Sequence, residues 1–194
     1  LSKYHHVEMY FPGGCKIGKR PIDYHIKGFE ALGATVKIDG DKYIIDAPEL
    51  NGTDITFDFP SVGATINIML AAVKANGQTR IFNAAKEPEI VNIADFLKSM
   101  GAKIKGAGTD TITITGVKKL SKGNIYTIPD RIEAGTYIIA GALAGDHLVI
   151  DKIEPKHLKS LLDTLKNMNV DYILEENSII ISKQTNLKSV NITS

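Results

Sequence analysis

The sequence predicts an α/β fold assembled by repetition, a compact repeat barrel or prism with helices buried inside and sheets outside. Three observations predict it. The helix-ending triplets Leu32-Gly33-Ala34, Met100-Gly101-Ala102 and Met168-Asn169-Val170 recur with a period of 68 residues (33, 101, 169), which marks an internal repeat. Two stretches, Val62 to Val73 and Ala134 to Gly145, contain no charged residue, and a helix apolar all round must be covered on all sides. Between these helices lie short runs with strand character, such as Ile55 to Phe59, where apolar and polar residues alternate.

Taken in order, Val7 to Phe11 is predicted as a strand that leads into a glycine-rich loop. Pro21 suits the first turn of a helix running to about Leu32, where Gly33 ends it. Ile22, Ile26, Phe29 and Leu32 line one face of that helix. A hairpin follows, Thr35 to Ile38 and Tyr43 to Asp46, turning at Asp39-Gly40-Asp41. Ile55 to Phe59 is the next strand, and Ser61 caps a second helix through Lys74, which Gly77 ends before the strand Thr79 to Phe82.

The same order then returns. Glu89 to Met100 carries Ile90, Ile93, Leu97 and Met100 at helical spacing, and Gly101 closes it. Strands are predicted at Lys103 to Ile104, Thr111 to Thr115 and Asn124 to Thr127, then a helix from about Arg131 to Ala144 and a strand from Leu148 to Asp151. A third copy opens with the helix Lys156 to Met168 and the hairpin Tyr172 to Ile181. Ala71, Ala72, Ala140, Gly141 and Ala142 let neighbours approach the two apolar helices closely.

Composition limits the function classes. The 194 residues are 43% apolar, enough for a substantial core in one large domain or two small ones. Basic and acidic side chains number 23 and 22, a net charge of +1, so nothing global favours nucleic acid or a membrane surface. A single cysteine excludes an intrachain disulfide and a cysteine-rich metal site and suits a reducing, cytoplasmic compartment. No apolar run approaches the roughly 20 residues of a membrane helix, and no signal peptide is recognisable. Because the chain opens on Leu1, it is read as a segment of something longer.

Chemistry concentrates in Pro12 to His25. This stretch holds Cys15, the glycines Gly13, Gly14 and Gly18 within six residues, and the cations Lys16, Lys19 and Arg20 within five. Glycines let a ligand approach the main chain, and cations beside a helix start stabilise a thiolate, so Cys15 stands where a reactive cysteine is expected. The bland reading is a lone cysteine packed as a small hydrophobe. The glycines do not make the spacing G-x-G-x-x-G, which discards a dinucleotide-binding fold.

Five stretches in order, PGGCKIGKRPIDYHIKGFEALGA, DFPSVGATINIMLAA, NAAKEPEIVNIADFL, GAGTDTITITGV and IPDRIEAGT, resemble the UDP-N-acetylglucosamine 1-carboxyvinyltransferase family, the enolpyruvyl transferases that start peptidoglycan synthesis. The likeness runs from about Val7 to Ile192. It implies an inside-out α/β barrel, two domains of three repeats each, with the interdomain crossing near Ile128-Pro129. Residues 1–128 would be the later part of the first domain and residues 129–194 the opening repeat of the second.

The resemblance implies transfer of enolpyruvyl from phosphoenolpyruvate to the 3'-hydroxyl of UDP-N-acetylglucosamine by addition and elimination, without cofactor or metal. Cys15 matches the family's catalytic cysteine, an acid toward the methylene carbon, a nucleophile forming a phospholactoyl adduct, and the target of fosfomycin. Arg20 matches a phosphate and uridine contact. Pro21, Ile22, Asp23 and Tyr24 match the uridine pocket, and Ser61, Val62 and Gly63 the helix start near the diphosphate. Read by themselves, Asp23 could equally stabilise a first helical turn and Ser61 cap a helix.

His25 reads as a surface or packing residue and His5 and His6 as a solvated terminus. Glu87 and Glu89 either orient substrate loops or charge a helix start, and Asp130, Arg131 and Glu133 form either an interdomain ion network or a cap. Phe59 stands where some members of the family carry a lysine near the diphosphate, and Lys16 and Lys19 replace the small residues usual in the loop. The family's other substrate-clamping residues fall outside the chain, so these residues alone are expected not to turn over. Two rivals stand beside this reading: the shikimate-pathway enolpyruvyl transferase, and a non-catalytic nucleotide-binding repeat protein.

Overall fold

The computed structural model describes residues 1–10 and 22–192, in two compact units, Leu1–Tyr126 and Thr127–Ser194. The repeat has a backbone cause. Helix α1 (Asp23–Ala31) ends with Gly33 N–H donating to Glu30 and Ala34 N–H to Phe29, at 2.9 Å each. Helix α3 (Pro88–Ser99) ends with the same pair of bonds, Gly101 to Lys98 and Ala102 to Leu97. Helix α5 (Lys159–Asn167) ends with Asn169 to Lys166 and Val170 to Leu165.

These are three copies of one Schellman stop, in which a left-handed residue lets the chain reverse onto the last carbonyls. Gly33, Gly101 and Asn169 take φ of 99°, 101° and 61°. Asparagine serves in the third copy because it tolerates that region better than other residues with a side chain. Nothing lies within 4 Å of a Cβ built on Gly101, so a substitution there acts through the backbone alone. Gly101→Ala is expected to cost about 1–2 kcal/mol in urea denaturation, and Gly101→Asn less. Equal costs for the two would contradict this account of the stop.

In the first unit β2 (Thr35–Asp39) and β3 (Lys42–Asp46) form the predicted hairpin, and β1 (His6–Tyr10) pairs antiparallel along the other edge of β3. Strands β4 (Asp54–Thr56) and β5 (Gln78–Phe82) are parallel neighbours, which requires a crossover. Helix α2 (Val62–Ala72) lies within that connection. Strands β6 (Lys103–Lys105) and β7 (Thr111–Thr115) complete the order β4-β5-β7-β6. Alternation puts Ile55, Ile81, Ile104, Ile112 and Ile114 on one face, in one buried cluster with Ala64, Ile68, Met69 and Ala72 of α2.

The second unit holds α4 (Arg131–Ala144), α5 and the sheet β8 (Leu148–Ile150), β10 (Ile179–Ile181), β9 (Tyr172–Leu174) in that order. Its core joins Ala134, Ile138 and Ala142 to Leu158, Leu162, Leu165, Ile179 and Ile181.

Four expectations need correction. The strand expected at Ile55 to Phe59 ends at Thr56: Phe57 N–H still bonds to Phe82, but the chain then turns through Pro60 to bring Ser61 to its cap. Asn124 to Thr127 forms no strand; the Tyr126 carbonyl accepts instead from the Asn92 side chain at 3.0 Å. The helix expected from Lys156 opens as a 3-10 turn, Pro155–Leu158, before α5. Finally, the helices that carry the two charge-free stretches are not covered all round within their units. On α2 a stripe of Gly63, Asn67 and Leu70 is exposed, and on α4 Tyr137, Ile139 and Leu143 are, because each unit offers these helices apolar partners on one side only.

Candidate functional site

The candidate residues gather where α1 meets α2. Gly28 of α1 supplies a notch: a Cβ there would stand 2.1 Å from Ile68 Cδ1, so only glycine admits the isoleucine. Three residues earlier His25 faces Gly63 and bonds to Asn67. The contacts advance together along both helices, so the two helix starts stand at the same end. This brings Ile22, Asp23 and Tyr24 together with Ser61, Val62 and Gly63. Cys15, Arg20 and Pro21 lie outside the described residues.

Each start has its own local reason. Ile22 occupies the cap position of α1 and offers no side-chain acceptor, which leaves first-turn amides for other partners. Asp23 is exposed in that first turn, where a carboxylate also favours the helix dipole. Ser61 is extended, with φ −129° and ψ 113°, and its Oγ accepts from Ala64 N–H at 3.4 Å. It is therefore a cap in structural fact.

Tyr24 is anchored rather than free. Its ring lies 5.3 Å from Phe57 and 5.1 Å from Phe59, the second pair edge to face, and its hydroxyl donates to Asp58 Oδ2 at 3.3 Å. The Lys27 ammonium sits 5.8 Å from the ring centre. Burial pushes the Tyr24 phenol above its ordinary value, and the Asp58 carboxylate adds to the shift. The phenol therefore stays protonated and a donor. Phe59, 61% exposed, presents an open aromatic edge beside the start of α2.

His25 Nδ1 lies 2.7 Å from Asn67 Nδ2. With the amide as placed, Nδ1 accepts and the ring proton belongs on Nε2. Burial holds the His25 pKa below its usual value, so the imidazole is neutral at pH 7. Asp58 and Asn67 are the residues that sequence reading passed over. A signal existed for the second: Asn67 is the only amide side chain in the charge-free stretch Val62 to Val73, one turn beyond Gly63.

Glu87 precedes α3 without capping it, and its Oε2 is buried with no hydrogen-bond partner among the described residues; Glu89 stands in the first turn of α3. Asp130 caps α4, its Oδ1 accepting from Ile132 N–H at 2.8 Å and Glu133 N–H at 3.1 Å. His6 bonds to Asp46 across the β1–β3 pair. Among the described residues no group of three or more His, Cys, Asp or Glu could hold a metal ion, and no helix is long and apolar enough to cross a membrane. Together the two helix starts offer backbone amides to an anion, with an aromatic edge and a neutral imidazole beside them.

Comparison with known proteins adds to this geometry. The whole chain, residues 1–194, matches the family described as EPSP synthase (3-phosphoshikimate 1-carboxyvinyltransferase). It is 52% identical over 192 residues to UDP-N-acetylglucosamine 1-carboxyvinyltransferase of Clostridium botulinum, covering 99% of this chain and 46% of that protein. It is 54% identical to UDP-N-acetylglucosamine 1-carboxyvinyltransferase 2 of Clostridium acetobutylicum, with the same 99% and 46% coverage. The chain thus spans about half the length of the curated relatives it matches. Among solved structures it is similar to the enolpyruvyl transferase NikO from Streptomyces tendae, with TM-score 0.81 and 22% identity over 95% of this chain and 45% of that one. It is similar also to EPSP synthase from Acinetobacter baumannii, with TM-score 0.64 and 21% identity over 96% of this chain and 45% of that one. The enolpyruvyl-transferase fold expected from the sequence is the fold these two structures share with it.

Proposed function

We propose, because the chain belongs to the EPSP synthase (3-phosphoshikimate 1-carboxyvinyltransferase) family, that its full-length parent transfers enolpyruvyl from phosphoenolpyruvate to the 3'-hydroxyl of UDP-N-acetylglucosamine. The observation that carries this reading is identity of 52% and 54%, across 99% of the chain, to relatives that bear the name of that reaction. The sugar hydroxyl gives up its proton to a base of the full-length parent as its oxygen bonds to C2 of phosphoenolpyruvate, and C3 takes a proton, giving a tetrahedral intermediate. Loss of that C3 proton and of phosphate from C2 then restores the double bond.

In this reading Cys15 serves as acid toward C3 and as the nucleophile of a covalent phospholactoyl adduct. Arg20, with a planar and permanently charged fork, holds substrate phosphate. Pro21, Ile22, Asp23 and Tyr24 form the uridine pocket, Asp23 pairing with the uracil edge and Tyr24 offering its ring. Ser61, Val62 and Gly63 present the start of α2 to the diphosphate. Residues 1–128 belong to the first domain and 129–194 open the second; the rest of the parent completes the site. The reaction would be the first committed step of peptidoglycan synthesis in the cytoplasm, and through it would serve cell-wall growth, cell shape and division.

The test is phosphate release by the full-length parent given phosphoenolpyruvate and either UDP-N-acetylglucosamine or shikimate 3-phosphate. Release with the sugar nucleotide alone is the expected result. Release with shikimate 3-phosphate alone would transfer the chain to the other branch of its family, and release with neither would favour a binding protein.

A further inference from the structure

The proposed function leaves the His25–Asn67 pair without a role. Three observations define what it does. The Cε1–Nε2 edge of His25 lies against the first turn of α2, so close that a Cβ on Gly63 would stand 3.1 Å from Cε1 and 3.2 Å from Nε2. The other ring nitrogen, Nδ1, is engaged one helical turn further along α2 by the Asn67 amide. One turn beyond His25 on α1, Ile68 fills the notch at Gly28.

Steric fit at Gly28 and Gly63 sets how closely the helices approach, but it does not set the rotation of the imidazole about χ2. The hydrogen bond does. A ring turned by half a revolution would carry Cδ2 to the amide and lose a bond of ordinary strength. We propose that Asn67 is a positioning residue for sugar-nucleotide binding: by donating to His25 Nδ1 it fixes the ring orientation and the Nε2–H tautomer against Gly63. The direction of the Nε2–H donor at the first turn of α2, between the helix starts that carry Ile22, Asp23 and Tyr24 on one side and Ser61, Val62 and Gly63 on the other, is thereby held. Asn67 acts through His25 and not on the reacting atoms. This inference rests on the proposed function for its ligand; the hydrogen bond itself does not.

The experiment uses the full-length parent and two readouts. Imidazole 15N resonances report the tautomer of His25 directly, and wild type is expected to show a protonated Nε2 and a bare Nδ1 at pH 7.5. The substitution Asn67→Leu removes the donor at an exposed helical position where leucine is well tolerated. It is expected to weaken UDP-N-acetylglucosamine binding by roughly three- to tenfold, the range spanned by loss of one hydrogen bond. The loss should fall on KM for the nucleotide, with kcat at saturation within about twofold. Unchanged N67L binding, a kcat loss as large as the affinity loss, or a wild-type ring protonated on Nδ1 would each overturn the inference. Failure of the wild-type parent to bind the nucleotide at all would instead overturn the proposed function, and the positioning role with it.

Discussion

Cys15→Ala in the full-length parent is expected to lower kcat by about 10²- to 10⁴-fold, the range that a positioned acid or base supplies. Lys16, Lys19 and Arg20 stand one, four and five residues after the thiol, and a helix begins shortly beyond. Cations at this spacing make a thiol easier to ionise, so the protonated form is a readier proton donor toward C3 and the ionised form is the nucleophile that an epoxide alkylates. The same property predicts a second readout. Fosfomycin should add to the wild-type parent as a single adduct on Cys15, faster when UDP-N-acetylglucosamine is bound, and should not add to C15A. Mass spectrometry of the intact protein with and without the nucleotide measures both. Absence of an adduct in wild type, together with a C15A variant that turns over normally, would remove Cys15 from the mechanism and leave the family assignment untouched.

The second large effect is on stability. Ile68→Ala is expected to cost about 2–5 kcal/mol, by removal of buried methyl groups and by the cavity left behind. Ile68 is fully buried in the first unit's core, and its Cδ1 occupies the notch that Gly28 leaves in α1. Two helices would lose their interlock at once, so the site should relax little around the void. Ile68→Val, which removes one carbon, should cost about 0.5–1.5 kcal/mol. Urea denaturation of both variants with unchanged slope gives the comparison. A loss below about 1 kcal/mol for the alanine variant would mean that α1 and α2 repack freely, which would leave Asn67 no fixed imidazole to orient.

The sequence carried most of the fold because its strongest signals are local. Gly33, Gly101 and Asn169 announce their helix stops by backbone conformation, and Ser61 announces a start by capping chemistry. Signals that depend on partners were weaker. The run at Ile55 to Phe59 has strand alternation throughout, yet Asp58 and Phe59 turn away to serve Tyr24 and the start of α2. Asn124 to Thr127 has β character but no strand beside it among the described residues. For the site, the pairing of helix starts depends on an interhelical notch at Gly28, and one glycine in a helix does not reveal which side chain will enter it. Asp58 became visible only once its partner Tyr24 had been placed, whereas Asn67 stood out as the lone amide of a charge-free stretch but had no role until His25 was placed beside it.

The three Schellman stops make the chain modular in a practical sense. Each stop sits in solvent at Gly33, Gly101 or Asn169 and closes through main-chain bonds alone. A stretch bounded by two of them can therefore diverge almost completely in sequence while its ends keep the same geometry. A residue inserted within α3 would rotate everything beyond it by about 100° and turn Ala102 out of the core. The same residue inserted beside Thr109, at the exposed end of the turn Gly106 to Thr109, would be absorbed locally. The stops thus act as reading-frame marks for a three-dimensional repeat, and a chimera that exchanges one repeat for another should be joined at them.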